Sequence, residues 1–150
     1  MQVKLLTPAQ WSAAKEKVTR FLYRHSDNRI TNAALVALRE LPPAQLADSR
    51  SGEAPTAAIA VAISSSGKLM ACAFAEDCGE RACFVVVSPE YRGQGAGSAL
   101  MRALRRHLGS LTCTVAADNA QSMAMCFRAG MKAVSLHTGP TGKPTLRFEG

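Results

Sequence analysis

Residues 83–108 read CFVVVSPEYRGQGAGSALMRALRRHL, and within them the hydrophobic period changes. Cys83 to Val87 is a short apolar, β-branched run, which predicts a buried strand. From Ala96 the apolar positions fall at Ala96, Ala99, Leu100, Ala103, Leu104, His107 and Leu108, spacings of three and four that lie on one helical face. A strand therefore feeds a helix through Ser88–Gly97, where Gly93, Gly95 and Gly97 permit backbone angles and close approaches that side chains would block. The first turn of a helix carries N–H groups without intrahelical acceptors, and the macrodipole adds partial positive charge there. The stretch has the makings of an anion cradle, with phosphate as the natural occupant. A turn that is merely tight needs one or two glycines, not three with Arg92 beside them.

The spacing excludes two phosphate-binding patterns. Walker A requires G-x-x-x-x-G-K-S/T, and no lysine follows this loop; the dinucleotide fingerprint G-x-G-x-x-G is absent because the glycines run G-x-G-x-G. Ser66-Gly67-Lys68 is not a phosphate loop either, since no helix is predicted after it.

Outward from this stretch, Gln2 to Leu6 reads as a first strand, and Thr7-Pro8-Ala9-Gln10 as a helix start with a capping box and proline at the first position. Trp11, Ala14, Val18, Phe21, Leu22 and His25 follow at helical spacing. A second helix is expected over Thr31–Leu41, ending before Pro42-Pro43. Pro42 to Thr56 is loop, equally readable as a lid or a plain connection. Ala57–Ser64 and Lys68–Ala75 form a hairpin across Ser65-Ser66-Gly67, and the turn Asp77–Glu80 leads into the strand at Cys83. Beyond the glycine helix come a cap at Gly109, a strand at Leu111–Ala116, a helix from Ala120 to Ala129 capped by Asp118-Asn119 and stopped by Gly130, and strands at Lys132–His137 and Thr145–Phe148. Met123, Phe127 and Met131 are expected on the buried face of that last helix.

At 150 residues and 47% hydrophobic content the chain is long enough for one domain with a sizeable core. No segment reaches the roughly 18 apolar residues of a membrane span, and the N-terminus lacks the apolar stretch of a signal peptide, so a cytoplasmic protein without membrane contact is expected. The five cysteines imply neither disulfide nor metal: Cys72, Cys83, Cys113 and Cys126 lie in apolar runs, and Cys78 and Cys83 have no second ligand pair. The net charge of +7 raises nucleic-acid binding as a reading, but the 18 Lys and Arg are scattered and aromatics make up only 5%, so none is expected. Arg102, Arg105 and Arg106, on the polar side of the glycine helix, are placed to attract a polyphosphate.

Arg92, Gly95 and Gly97 after an apolar strand resemble the R/Q-x-x-G-x-G/A signature of the GNAT superfamily of acetyl-CoA-dependent N-acetyltransferases, and the lead-in V-V-V-S-P-E-Y is close to that family's. The element order is also that of the GNAT fold, and Asn119-x-x-Ser122 through Gly130-Met131 is similar to the family's N-x-x-A…Y-x-x-x-G-F segment, with Cys126 where the family has tyrosine. The resemblance implies an α/β fold, a central mixed, mostly antiparallel twisted sheet of about seven strands with four helices. It implies acetyl transfer from acetyl-CoA to a primary amine of a small molecule or peptide by direct attack, with no metal. Val85, Val86 and Val87 would hold the pantetheine arm through backbone bonds. Arg92, Gly93, Gln94, Gly95, Ala96, Gly97 and Ser98 would offer N–H groups to the diphosphate, and Asn119 would reach the cofactor from the next helix. Without the tyrosine, Cys126 is the candidate general acid, set against plain packing with water as proton donor; Glu80 is the candidate base, set against a solvated turn carboxylate. The resemblance also leaves room for a non-catalytic acyl-CoA-binding domain and for a homodimer. The acceptor would bind between the first two helices, the Pro42–Thr56 loop and the His137–Pro144 loop, with polycations disfavoured because carboxylates are few.

Overall fold

A computed structural model of the chain describes residues 1–27, 29–46, 55–140 and 142–150. Strands β1 (Gln2–Leu5), β2 (Ala58–Ile63), β3 (Leu69–Glu76) and β4 (Ala82–Val87) form an antiparallel sheet in the order β1-β2-β3-β4. In β2 and β3 the side chains sort by size. Ala58, Ala60, Ala62, Ala71, Ala73 and Ala75 point to one face, Ile59, Val61, Cys72 and Phe74 to the other. The small face admits helix α3 (Ala96–Leu108) at close range, with Leu100 and Leu104 fully buried against it. Each such leucine contributes about 1.5–3 kcal/mol by burial. The large face is covered by α1 (Pro8–His25) and α2 (Asn32–Arg39) through Trp11, Leu22 and Leu38, all fully buried.

A second sheet follows. Strands β5 (Thr112–Ala116), β6 (Lys132–Thr138) and β7 (Pro144–Glu149) pair antiparallel in the order β5-β7-β6, and α4 (Ala120–Arg128) links β5 to β6. The seven expected strands and four helices are all present, but the sheet is divided between β4 and β5. β4 pairs only with β3 and β5 only with β7, so each keeps an open edge.

Thr7 accepts from the Gln10 N–H and Gln10 returns the bond to Thr7 N–H, completing the expected capping box. Strand and helix limits fall within one or two residues of expectation; α2 runs from Asn32 with Thr31 as its cap and stops at Arg39, short of Leu41. Two expected faces are rotated. In α3 it is Met101 that is buried and His107 that is exposed, because the helix packs along Gly97, Leu100, Met101, Leu104 and Leu108. In α4, Cys126 faces the core while Phe127 is 55% exposed and meets Phe148 in a T-shaped ring pair. Of the expected Pro42–Thr56 loop, residues 47–54 lie outside the described residues, so the lid reading does too; Pro43–Gln45 is a single 3-10 turn. Among the described residues no helix is long and apolar enough to cross a membrane.

Candidate active site

Edge strands β4 and β5 meet at one end and part at the other. The joint is Gly79, in the turn before β4: a Cβ there would lie 1.8 Å from the Thr112 carbonyl oxygen at the start of β5, and φ is +97°. Only glycine combines that contact with that backbone angle. From this joint both strands run toward a mouth formed by the loop after Val87 and the start of α4. The V encloses a cleft of about 180 Å³, lined by Cys83–Val86 on one side and Cys113–Ala116 on the other, with Asn119, Ser122 and Cys126 from the α4 side.

The open edge of β4 has a definite pattern. Ser88 N–H donates to the Met70 carbonyl at 2.9 Å. Hydrogen-bonded pairs alternate along an antiparallel ladder, so Phe84 and Val86 direct their backbone groups to β3, while Val85 and Val87 direct theirs to the cleft. This corrects the expectation for Val86, whose peptide groups belong to the sheet. The Val87 carbonyl already accepts from Arg92 Nε at 3.3 Å.

At the mouth, Gly95 caps α3 in the left-handed conformation, φ +83°, which in other L-residues costs roughly 1–2 kcal/mol. The first backbone bond of α3 runs from Ala99 N–H to Gly95. Among the described residues, the N–H groups of Gly93, Gln94, Gly95, Ala96, Gly97 and Ser98 have no protein acceptor, which leaves a row of donors at the positive end of the helix dipole. Arg92 departs from expectation: its N–H lies 3.5 Å from the Pro89 carbonyl, and its guanidinium pairs with Asp27 at 2.7 Å. The row of unpartnered donors therefore begins at Gly93. Gly97 lies inside the helix facing α4, where an added Cβ would come within 2.6 Å of Met125 Cε.

Asn119 caps α4, accepting from Ser122 N–H at 3.3 Å, and lines the cleft. Arg102 and Arg105 do not face the mouth. They donate to the Arg128 and Ala129 carbonyls at 3.3 and 3.0 Å and so hold the end of α4.

The two candidate proton-transfer groups are placed by the fold but chemically biased. Cys126 is 2% exposed, with its Sγ 3.5 Å from Cys113 Sγ. That contact, followed by burial, pushes its thiol far above the ordinary range. Glu80 accepts from both terminal guanidinium nitrogens of Arg147, one at 3.1 Å, and this pairing holds its carboxyl below the ordinary 4.5. An acid with a raised pKa and a base with a lowered one are both mismatched to neutral-pH transfer. All five cysteines are free thiols.

Beyond the joint lies a larger cavity of about 520 Å³, bounded by α2, the β3–β4 turn, Pro140 and Arg147. The α2 wall and the loop before β7 were expected there. Glu76, Arg81 and Arg147 were not, because no local pattern connects a hairpin turn with the last strand; only tertiary pairing brings Glu80 to Arg147.

With this geometry in view, comparison with known proteins gives one family and many structural neighbours. Residues 29–131 match the Acetyltransferase (GNAT) family. The chain therefore belongs to the GNAT family, the acetyl-CoA-dependent N-acetyltransferases. Its fold is similar to that of a GNAT-family acetyltransferase from Streptococcus pneumoniae (TM-score 0.69, 13% identity, 99% of this chain and 98% of that one). A mutant of the spermidine N-acetyltransferase SpeG from Vibrio cholerae is also similar (TM-score 0.63, 15% identity, 99% and 94%). So is the aminoglycoside acetyltransferase AAC(6')-Ib in complex with coenzyme A and kanamycin (TM-score 0.58, 15% identity, 99% and 93%). No curated protein matches the sequence.

Proposed function

We propose that this chain transfers the acetyl group of acetyl-CoA to a primary amine by direct attack within a ternary complex. The observation that carries this reading is the row of unpartnered N–H groups from Gly93 to Ser98 at the mouth of a cleft whose β4 wall turns the backbone groups of Val85 and the N–H of Val87 away from β3. The diphosphate would lie on the N–H row, the pantetheine would add along β4 as a short strand does, and Asn119 would contact it from the α4 side. The thioester then comes to rest near the joint of the V, next to the larger cavity. The amine nitrogen attacks the thioester carbon; the new C–N bond forms, the C–S bond breaks, and the sulfur leaves as thiolate. Positioning of the two reactants is the main contribution, worth up to roughly 7–11 kcal/mol.

Proton transfer is assigned to solvent. The thiolate takes its proton from water, with Cys126 packing the cleft wall, and Glu80 acts on the amine only through its place in the Arg147 ion-pair cluster. A second reading, a non-catalytic acyl-CoA-binding domain, is favoured by one observation: the tyrosine position is filled by a buried thiol. Calorimetry with coenzyme A and a thiol-release assay over a panel of amines separate the two. Binding with turnover supports transfer; binding without turnover on any amine supports the second reading. The soluble, cytoplasmic setting and a homodimer remain part of the proposal, tested by fractionation and by light scattering.

A further inference from the structure

The larger cavity and the cleft share Arg29, Ile30, Cys83, Phe84, Cys113 and Thr114, which marks the neck where an amine would meet the thioester. The charges around it are unequal. Three guanidinium groups, Arg29, Arg81 and Arg147, stand against two carboxylates, Glu76 and Glu80. Arg147 is held by both Glu80 and Glu149. Arg81 sits 3.7 Å from Glu76. Arg29 is different: its carboxylate neighbour among the described residues, Asp118, is 3.7 Å away, beyond hydrogen-bond distance, and is itself bonded to Lys143 at 2.9 Å. Asp118 thus has a nearer cation, and among the described residues no acceptor lies within hydrogen-bond distance of the Arg29 guanidinium at the neck, which leaves its fork open to a further acceptor. The facing wall is small and apolar, made by Ile30, Ala33, Ala34 and Ala37.

Resting on the acetyl-transfer reading above, we infer that the acceptor is an α-amino acid with an apolar side chain, its carboxylate bound by Arg29 and its side chain lodged against the alanine wall of α2. Because Arg29 lines both cavities, an anionic group bound to it would lie close to the nucleophilic nitrogen, as the carboxylate of an α-amino acid does. A guanidinium and a carboxylate make two parallel charge-assisted bonds, which an amide or a bare amine does not reproduce. A polyamine or aminoglycoside would instead bring cations into a cavity where guanidinium groups outnumber carboxylates.

The test is a thiol-release assay with acetyl-CoA on leucine, methionine and phenylalanine, on their carboxamides, and on spermidine and kanamycin, paired with calorimetry on coenzyme A. The expected result is a kcat/KM for the amino acids at least tenfold above their amides and above both polycations. Arg29→Gln should collapse that acid-to-amide ratio to near one, with the loss in KM; Arg29→Lys should restore part of the ratio. Amides or polycations turned over as well as the acids, or a ratio unmoved by Arg29→Gln, would overturn the inference while leaving acetyl transfer standing. Failure of coenzyme A to bind would overturn both together.

Discussion

The two ends of the cleft are built from different material. At the mouth the groups proposed to bind are main-chain N–H bonds in a single run of residues, Gly93 to Ser98, fixed by one strand and one helix. At the neck they are side chains carried by the α1–α2 turn, α2, the β3–β4 turn and β7. Main-chain donors stay in place when side chains are exchanged, so the mouth suits an invariant cosubstrate. A wall of side chains can be re-dimensioned one residue at a time, and so suits selectivity. The difference teaches where substitution should act: on backbone angle at one end, on charge and volume at the other.

The joint between the two ends should be the most sensitive point. Gly79→Ala would press a Cβ into the Thr112 carbonyl at a left-handed position, and a loss of about 3 kcal/mol or more is expected. Urea unfolding would show it, with a fall in Tm on the order of 10 °C. Were stability unchanged, β4 and β5 would not be joined there. Next in size, Gly95→Val should weaken coenzyme A binding about 10- to 100-fold through strain at φ +83°, and lower Tm by only a few degrees, since the left-handed backbone costs about 1–2 kcal/mol while no atom lies within 4 Å of the added Cβ. Equal losses of binding and stability would blur the distinction between a backbone-built mouth and the rest.

Cys126→Ala should hold kcat within about twofold with an unaltered pH profile, since a thiol raised so far does not donate near neutral pH. A large, pH-dependent loss would return Cys126 to the chemistry. The smallest effect is expected at Glu80→Gln. Because Arg147 lowers the Glu80 pKa on folding, the pair stabilises the protein above the ordinary carboxyl value of 4.5, and that contribution disappears as pH falls through the lowered value. The wild-type and variant unfolding curves should therefore differ slightly at pH 7 and converge as pH falls from 4.5 through the lowered Glu80 value. A shifted pH–rate profile near neutrality would instead mark Glu80 as the base.

How much could be read beforehand follows the same division. The mouth was legible because its determinants are local: three glycines at alternate positions, a β-branched run before them and a helical period after them. The elements were legible for similar reasons, down to the Thr7–Gln10 capping box. The division of the sheet was not, since nothing in Leu111–Ala116 says that it pairs with β7 and leaves β4 alone. The buried side of α3 differs from expectation by about one position because the alanine face of β2 and β3, and not the period of the helix alone, decides which side is covered. Arg102 and Arg105 read as phosphate ligands until tertiary packing brought the end of α4 to them. The Glu80–Arg147 pair joins residues far apart in the chain and leaves no trace in either segment.

The claim on which the rest depends is that the amides after β4 bind the diphosphate, and nitrogen-15 NMR during a coenzyme A titration tests it directly. The expected result is saturable, downfield shifts of the amide protons concentrated at Gly93, Gln94, Gly95, Ala96, Gly97 and Ser98. Saturable binding with those six resonances unmoved, or no binding at millimolar ligand, would contradict it.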